Sequence, residues 1–413
     1  MKNKKERINA VSGKGSYLFL QDGRAVIDLV SSWWVNVHGH GREEIAAAIY
    51  QQALKLEHVL FADLQHEGAY RLIEKLSSHL PSSLHHFFFS DDGSTAVEVA
   101  LKMATQYWKN RKEAKRNKWI VFEGSYHGDS VGCMSLGQRG PFTAAFQDLL
   151  FEVFSLPFPA TYENDSEVEQ KEAKTLELFS ALLKKEKGRI AAVFIEPLVQ
   201  GASGMRMCRE KFLIALEAEV RKEGCLLVYD EVMTGFGRTG EWFSLVKSAT
   251  CPDLLCLAKG LTGGFLPLAL TICTQKIYDA FLGEDLALTF YHGHSYTANP
   301  LGCAAAIASL ELLEKEEAFR KIEAMHRKEL QPFFQEPTIE KIRLCGTIAA
   351  MDLKVEEKGY GSFVGEKIQK LALERGIYLR PLGNVLYLLP PYSITSKELA
   401  FSYEVIRECL KEI

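Results

Sequence analysis

The sequence predicts an α/β protein with a mainly parallel central sheet. Short continuous apolar runs alternate with segments of helical periodicity, which is the pattern of strands linked by crossover helices. The length of 413 residues suits two domains better than one. With 25% charged and 47% hydrophobic residues, the composition is that of an ordinary soluble globular protein.

The individual elements follow from this alternation. Four apolar runs are expected to be strands buried on both faces, namely 119–122, 190–195, 225–229 and 254–258. Segments with helical spacing lie before, between and after them, at 43–57, 96–108, 209–223 and 301–331. The charged stretch 161–189 is interpreted as a solvated helix and loop. We expect a large sheet domain over about residues 40–305 and a small domain formed by 1–39 and 306–413.

Composition and charge argue against several classes of function. A net charge of -4 gives no basic surplus for binding nucleic acid. No apolar run reaches the roughly 18 residues that span a bilayer. Met1–Arg7 is basic but is not followed by the apolar segment of a secretory signal. The nine cysteines form no Cys-x-x-Cys pair, so we expect free thiols in a reducing cytoplasm and no metal site.

The run Asp91–Glu98 follows three phenylalanines and opens a predicted helix. Free N–H groups at a helix start, close to Gly93 and Ser94, favour a bound phosphate. Thr95 and Glu98 also have the spacing of a capping box, so an ordinary helix start explains the same residues. The pattern leaves both readings open.

Two further groups follow predicted strands. Tyr126, within Ser125–Asp129, offers a ring on which a planar cofactor can stack, although Tyr126 and His127 taken alone are better explained as half-buried loop residues. Asp230 ends the strand 225–229, where a carboxylate can keep a pyridinium nitrogen protonated.

Glu196 ends the strand at 190–195 in the same way as Asp230. For either carboxylate, a helix cap or a surface ion pair is the alternative.

Lys259 follows the last apolar run and precedes Gly260, Gly263 and Gly264. Burial at such a position lowers the pKa of an amine, which Schiff-base chemistry needs. Most single lysines are solvated surface groups. A pyridoxal-phosphate site is favoured by the order of these features along the chain. They are a glycine at a helix start, an aromatic loop, an aspartate at a strand end and a lysine at a strand end.

The segment Gly235–Gly240 matches the dinucleotide-binding pattern G-x-G-x-x-G. That motif requires glycines directly between a strand and a helix, and an acidic residue about 20 positions further on. Glu231–Thr234 separates these glycines from the strand, so we interpret the segment as a loop with Arg238 available to pair with a carboxylate. A nicotinamide-dependent oxidoreductase is the competing hypothesis.

Taken together, these residues resemble the fold-type I pyridoxal-phosphate enzymes, specifically the class III aminotransferases, from about residue 15 to the C-terminus. Within the class they look most like the branch that aminates 8-amino-7-oxononanoate in biotin synthesis. The segments that carry this likeness are Ser31–Trp34, Tyr126–Asp129, Glu196–Gly201, Gly204–Met207, and the tail with Arg380, Tyr387 and Pro390–Tyr392. The resemblance implies a large domain with a mainly parallel sheet and a smaller α+β domain from both termini.

The resemblance also implies roles around pyridoxal 5'-phosphate. Lys259 would be the Schiff-base lysine and proton shuttle, Asp230 would pair with the pyridine nitrogen, and Tyr126 would stack on the ring. Glu196 is also expected to contact the cofactor. Gly93 and Ser94 would bind the phosphate.

Other roles concern a neighbouring subunit and the substrate. His294 and Ser295 would reach the phosphate of the neighbouring subunit's cofactor, which implies a homodimer. Trp33 and Gly293 would line the substrate pocket. Arg380 would bind the carboxylate of the keto substrate, with Tyr387 nearby.

Two departures from the family pattern concern the substrates. The family's His-Pro-aromatic-Thr segment, whose aromatic residue contacts substrate, has no counterpart in the printed sequence, and Met1 is compatible with an internal start in a longer protein. The loop Tyr291–Tyr296 lacks the Pro-Thr of a better-known branch and looks more like the branch with lysine-using enzymes. The amino donor, S-adenosylmethionine or lysine, therefore stays open. There are two alternative functions. One is a related enzyme that acts on ornithine, acetylornithine, 4-aminobutyrate or lysine, and the other is a cofactor-binding regulator without turnover.

Overall fold

The computed structural model describes residues 8–356, 359 and 362–413. The prediction made on Met1–Arg7 lies outside them. The strands are β1 Ala10–Lys14, β2 Tyr17–Leu20, β3 Ala25–Asp28, β4 Leu84–Ser90, β5 Lys118–Phe122, β6 Phe154–Leu156, β7 Ile190–Ile195, β8 Val199–Gln200, β9 Arg206–Met207, β10 Leu226–Asp230, β11 Leu254–Leu257, β12 Ala269–Thr274, β13 Ile339–Cys345, β14 Ile348–Leu353, β15 Ile377–Tyr378 and β16 Val385–Leu388.

The helices surround and connect these strands. They are α1 Ser31–Trp34, which is a single turn, α2 Glu43–Lys55, α3 Glu67–Ser77, α4 Gly93–Asn110, α5 Val131–Leu136, α6 Val168–Lys185, α7 Glu210–Glu223, α8 Ser244–Ser248, α9 Gln275–Asp279, α10 Pro300–Glu316, α11 Phe319–Leu330, α12 Val364–Glu374 and α13 Ser396–Leu410.

The main sheet has seven strands in the order β4-β12-β11-β10-β7-β5-β6. Only β12 runs against its neighbours β4 and β11, and the remaining pairs are parallel. All residues of β7, β10 and β11 are buried, which explains why these strands are continuously apolar in the sequence. The carboxyl ends of β4, β5, β7, β10 and β11 therefore lie at one edge of the sheet. The predicted α/β fold with a mainly parallel sheet is confirmed.

The predicted helices are present with shifted ends. The segment expected at 301–331 is two helices, α10 and α11, because Glu317 at the end of α10 has a left-handed φ of 38°. The capping box expected from Thr95 and Glu98 is wrong. Asp92 is the N-cap of α4, and its side chain and that of Thr95 accept each other's backbone N–H. Glu98 instead accepts hydrogen bonds from Ser130 Oγ and Gly132 N.

Two smaller sheets come from the two ends of the chain, in the orders β1-β2-β3-β15 and β13-β14-β16. The parallel pairing of β15 with β3 joins these ends. Buried residues of these sheets and of the main sheet belong to one continuous hydrophobic cluster. The division at about residues 40 and 305 stays a prediction.

Within the described ranges, no helix combines the length and apolar character that a membrane crossing needs. The same residues contain no group of three or more His, Cys, Asp and Glu side chains arranged for a metal ion. All nine cysteines are free thiols, and seven of them are buried.

Candidate active site

A cavity of about 430 Å³ opens at the carboxyl edge of the main sheet. The segments that follow β4, β5, β7, β10 and β11 each contribute to its wall. Six residues singled out in the sequence line this one cavity, namely Gly93, Ser94, Tyr126, Glu196, Asp230 and Lys259. Adjacent parallel strands bring the last two together, because Asp230 in β10 is level with Cys256 in β11, three residues before Lys259.

Lys259 begins a 3-10 turn directly after β11, with a φ of 46°. A non-glycine residue in this left-handed region is strained, and such strain is common where a side chain must be aimed at a functional site. Its Nζ lies 4.8 Å from the centre of the Trp34 ring. Burial lowers the pKa of the Lys259 amine, and the opposing negative charges of Asp230 and Glu196 offset only part of that effect.

Asp230 is buried and is held by two donors. His127 Nδ1 donates to its Oδ2 at 2.7 Å, and the backbone N–H of Val232 donates to its Oδ1 at 3.0 Å. Burial would lower the pKa of His127, but the hydrogen bond to Asp230 and the charge of that carboxylate more than compensate, so the pKa is raised. The aspartate is therefore neither a helix cap nor a surface ion-pair partner, and His127 is buried rather than a half-buried loop residue.

Glu196 is the second buried carboxyl group of the cavity. Its two oxygens accept the backbone N–H groups of Tyr126 and Gly201, each at 3.0 Å. Burial raises its pKa to about 7, against the opposing charge of His127. Glu196 thereby fixes the backbone of the loop that carries Tyr126, whose ring faces the cavity and stays partly exposed.

The amino end of α4 has the features of a phosphate cradle. The first N–H groups of a helix have no partners within it, and the helix dipole favours an anion there. A Cβ on Gly93 would lie 2.5 Å from Val232, and one on Gly128 would collide with Ser94. Only glycine allows these segments to approach so closely. Amine, carboxylate, aromatic ring and cradle thus fit the aldehyde, pyridine nitrogen, ring face and phosphate of pyridoxal phosphate.

The residues expected to bind substrate lie outside the cavity lining. The Arg380 guanidinium stacks 4.1 Å above the ring of Trp33, which is exposed. Tyr387 is buried, and its hydroxyl accepts a hydrogen bond from Trp34 Nε1 at 3.1 Å. The structure therefore brings Tyr387 against a wall of the cavity through Trp34.

Gly293, His294 and Ser295 lie in the segment before α10 and also do not line the cavity. Within the same chain, His294 Nδ1 is 3.4 Å from Asp91 Oδ2, next to the start of α4. Their expected contact with a neighbouring subunit's cofactor stays a prediction.

The segment Gly235–Gly240 forms turns and does not open a helix. The expectation that Arg238 pairs with a carboxylate is wrong. Its buried guanidinium donates to the backbone carbonyls of Pro390 at 3.0 Å and Trp34 at 3.1 Å, and lies over the ring of Tyr392. The Arg238 side chain thus links its own loop to Trp34 and to the segment 390–392.

Three contributions to the site could not be predicted from the sequence. In the sequence Trp34 belongs to the Ser31–Trp34 motif, and nothing in its neighbourhood predicts that it faces Lys259. The contact of His127 with Asp230 spans 103 positions of sequence. The segment Phe265–Leu268, which also lines the cavity, carried no signal because it is a plain apolar stretch.

Comparisons with known proteins agree with this geometry. The family model described as Aminotransferase class-III matches residues 1–410. The adenosylmethionine-8-amino-7-oxononanoate aminotransferase of Synechococcus elongatus is 53% identical over 414 residues, covering 100% of this chain and 97% of that protein. The crystal structure of the Methanocaldococcus jannaschii protein of that name is 36% identical, with a TM-score of 0.91 and coverage of 98% and 93%. A PLP-bound amine transaminase from an uncultivated Pseudomonas species is 30% identical, with a TM-score of 0.93 and coverage of 98% and 95%.

Proposed function

Because the chain belongs to the class-III aminotransferases, which depend on pyridoxal 5'-phosphate, we propose that it aminates 8-amino-7-oxononanoate to 7,8-diaminononanoate in biotin synthesis. The observation that carries the chemistry is the meeting of Lys259, Asp230 and the start of α4 in one cavity. The substrate follows from the names of full-length relatives, above all the one at 53% identity.

Four groups would hold the cofactor. Lys259 Nζ would bind its aldehyde carbon, Asp230 would face the pyridine nitrogen, the amino end of α4 with Gly93 and Ser94 would hold the phosphate, and Tyr126 would cover the ring. When bound, pyridoxal phosphate supplies an electron sink for the carbon that loses its proton. The His127 contact keeps the Asp230 carboxylate oriented toward the cavity.

Lys259 moves the proton in this scheme. With the cofactor and the donor amine in place, Nζ would take the proton from the carbon that bears the donor nitrogen and would pass it on to the carbon that came from the aldehyde. Its lowered pKa leaves a larger neutral fraction at physiological pH than an ordinary lysine has. The Trp34 ring borders the path of that amine.

The mouth of the site would select the keto substrate. Arg380 would bind its far carboxylate as a planar fork, with Trp33 and Gly293 along the alkyl chain and Tyr387 behind them. His294 and Ser295 would complete the phosphate site of a partner in a homodimer. Exposed Leu286, Tyr291 and Tyr296 in the same region support such an interface, since several large apolar side chains exposed within one segment are typical of an interaction surface. We place the enzyme in the cytoplasm, where its thiols stay reduced.

The test uses the full-length protein reconstituted with pyridoxal phosphate. We expect visible absorbance that Lys259→Ala alters, because the lysine Schiff base is lost, and that Lys211→Ala, an exposed control on α7, leaves unchanged. One equivalent of S-adenosylmethionine or of lysine should bleach the absorbance, and 8-amino-7-oxononanoate should restore it. The compound that bleaches the absorbance in a single turnover is the amino donor. A wild-type protein that stays colourless would contradict the proposal. So would an absorbance that ornithine bleaches and that 8-amino-7-oxononanoate does not restore.

A further inference from the structure

The turn α1 has an unusual backbone. Ser31, Ser32, Trp33 and Trp34 all have positive φ values, of 45°, 47°, 75° and 72°. L-residues avoid this region, and consecutive non-glycine residues there are rare because each is strained by about 1–2 kcal/mol. A left-handed turn of four such residues persists only when its surroundings hold it in place.

Polar contacts fix the first half of this turn. The side chain of Asp28 accepts Ser32 Oγ at 2.8 Å and the backbone N–H of Val30 at 3.1 Å. His40 Nε2 donates to the same carboxylate at 3.0 Å. Ser31 Oγ donates to the carbonyl of Leu389 at 2.7 Å. Asp28 and Ser31 are completely buried, so the bonds from Val30 N–H to Asp28 and from Ser31 to Leu389 are shielded from water.

The turn directs its two tryptophans to two different cations. Trp33 points outward and lies beneath the guanidinium of Arg380. Trp34 points into the cavity, where its ring faces the Lys259 amine at 4.8 Å. The indole N–H is anchored on the Tyr387 hydroxyl, which fixes the plane of the ring. Both distances are within the range at which an aromatic face attracts a cation.

We propose that Trp34 is a positioning residue for Lys259: its ring face attracts the protonated amine and holds the side chain toward the cavity. The strained turn is what makes this orientation possible, since a right-handed or extended segment would send successive side chains in other directions. The inference rests on the proposed function, in which Lys259 captures pyridoxal phosphate.

The test compares isosteric fluorinated tryptophans, because fluorine weakens the attraction of the ring for cations without opening space for water. A tryptophan fluorinated on its benzo ring is placed at position 34 or, as the matched control, at position 108 of the full chain, where the ring faces Arg116 at 4.4 Å and does not line the cavity. The readout is the rate at which the cofactor-free protein captures pyridoxal phosphate on Lys259, measured as a function of pH. Borohydride trapping and peptide mass spectrometry count the modified lysine.

At position 34 the fluorinated ring should lower the apparent pKa of capture by about half to one pH unit, because the ammonium loses its aromatic partner. At position 108 the pH profile should not move, because that ring has a cation partner other than Lys259. Pyridoxal phosphate itself also titrates, but its titration is the same with both proteins and does not affect the difference between their pH profiles. Tyr387→Phe, which removes the anchor of the indole, should give a smaller shift in the same direction.

An unchanged profile at position 34, or an equal shift at both positions, overturns the inference. Failure of the proposed function looks different, since unmodified protein would then capture no pyridoxal phosphate at Lys259 under any of these conditions.

Discussion

The pair formed by His127 and Asp230 allows a quantitative test of the electrostatics of the site. His127 is fully buried, and its Nδ1 lies 2.7 Å from the carboxylate. His127→Phe removes the donor and leaves a buried charge without this partner, which should cost about 3–5 kcal/mol of unfolding free energy. His127→Asn is the matched control, because its amide N–H can replace Nδ1 as a donor but carries no proton that titrates. We expect it to lose about 1–2 kcal/mol.

The pH dependence separates charge from hydrogen bonding. The pKa of His127 is raised in the folded protein, so the stability gained from its proton is fully present below the unfolded value of 6.5. That gain is lost as the pH rises through the folded pKa. The difference in stability between wild type and His127→Asn should therefore be largest near pH 6 and shrink toward pH 9.

Urea unfolding of the cofactor-free proteins, followed by tryptophan fluorescence at several pH values, measures this difference. A gap between the two proteins that is constant from pH 6 to pH 9 would refute the reasoning, because the histidine would then act as a neutral donor. A loss below about 1 kcal/mol for His127→Phe would show that the carboxylate reaches water when its partner is gone.

Three further predictions concern neighbouring parts of the site. Asp28→Ala removes the acceptor that holds the left-handed turn and should destabilise the protein by about 3–5 kcal/mol, measured by the urea midpoint; a loss under 1 kcal/mol would mean that the turn holds itself. Gly93→Ala places a methyl group against Val232 and should weaken pyridoxal phosphate binding by about tenfold or more, whereas Gly140→Ala, which meets nothing within 4 Å, should not change the dissociation constant. Burial raises the pKa of Glu196 from 4.5 to about 7, so its ionisation opposes folding across that range. Wild type should therefore lose stability relative to Glu196→Gln as the pH rises from 4.5 to 7, and parallel pH–stability curves would contradict this.

Much of the architecture could be predicted because it depends on local pattern. Strands buried on both faces must be continuously apolar, and β7, β10 and β11 are found where such runs occur. The end of a parallel strand is the natural place for a ligand, which is why Asp230 and Lys259 stood out. The ends of helices cannot be predicted in the same way. The start of α4 depends on which polar side chain accepts the free backbone N–H groups, and that residue is Asp92.

The sequence alone determined that the candidate side chains follow apolar strands. It also carried the family likeness that gives those side chains their expected roles. Only the tertiary structure decided which distant groups meet: His127 with Asp230, Trp34 with Lys259, and Arg238 with backbone carbonyls instead of a carboxylate. The reason is physical. Periodicity reports which face of an element is buried, but a contact between two buried side chains depends on how separate elements pack and on backbone conformations, such as the left-handed turn at 31–34, that long-range hydrogen bonds impose.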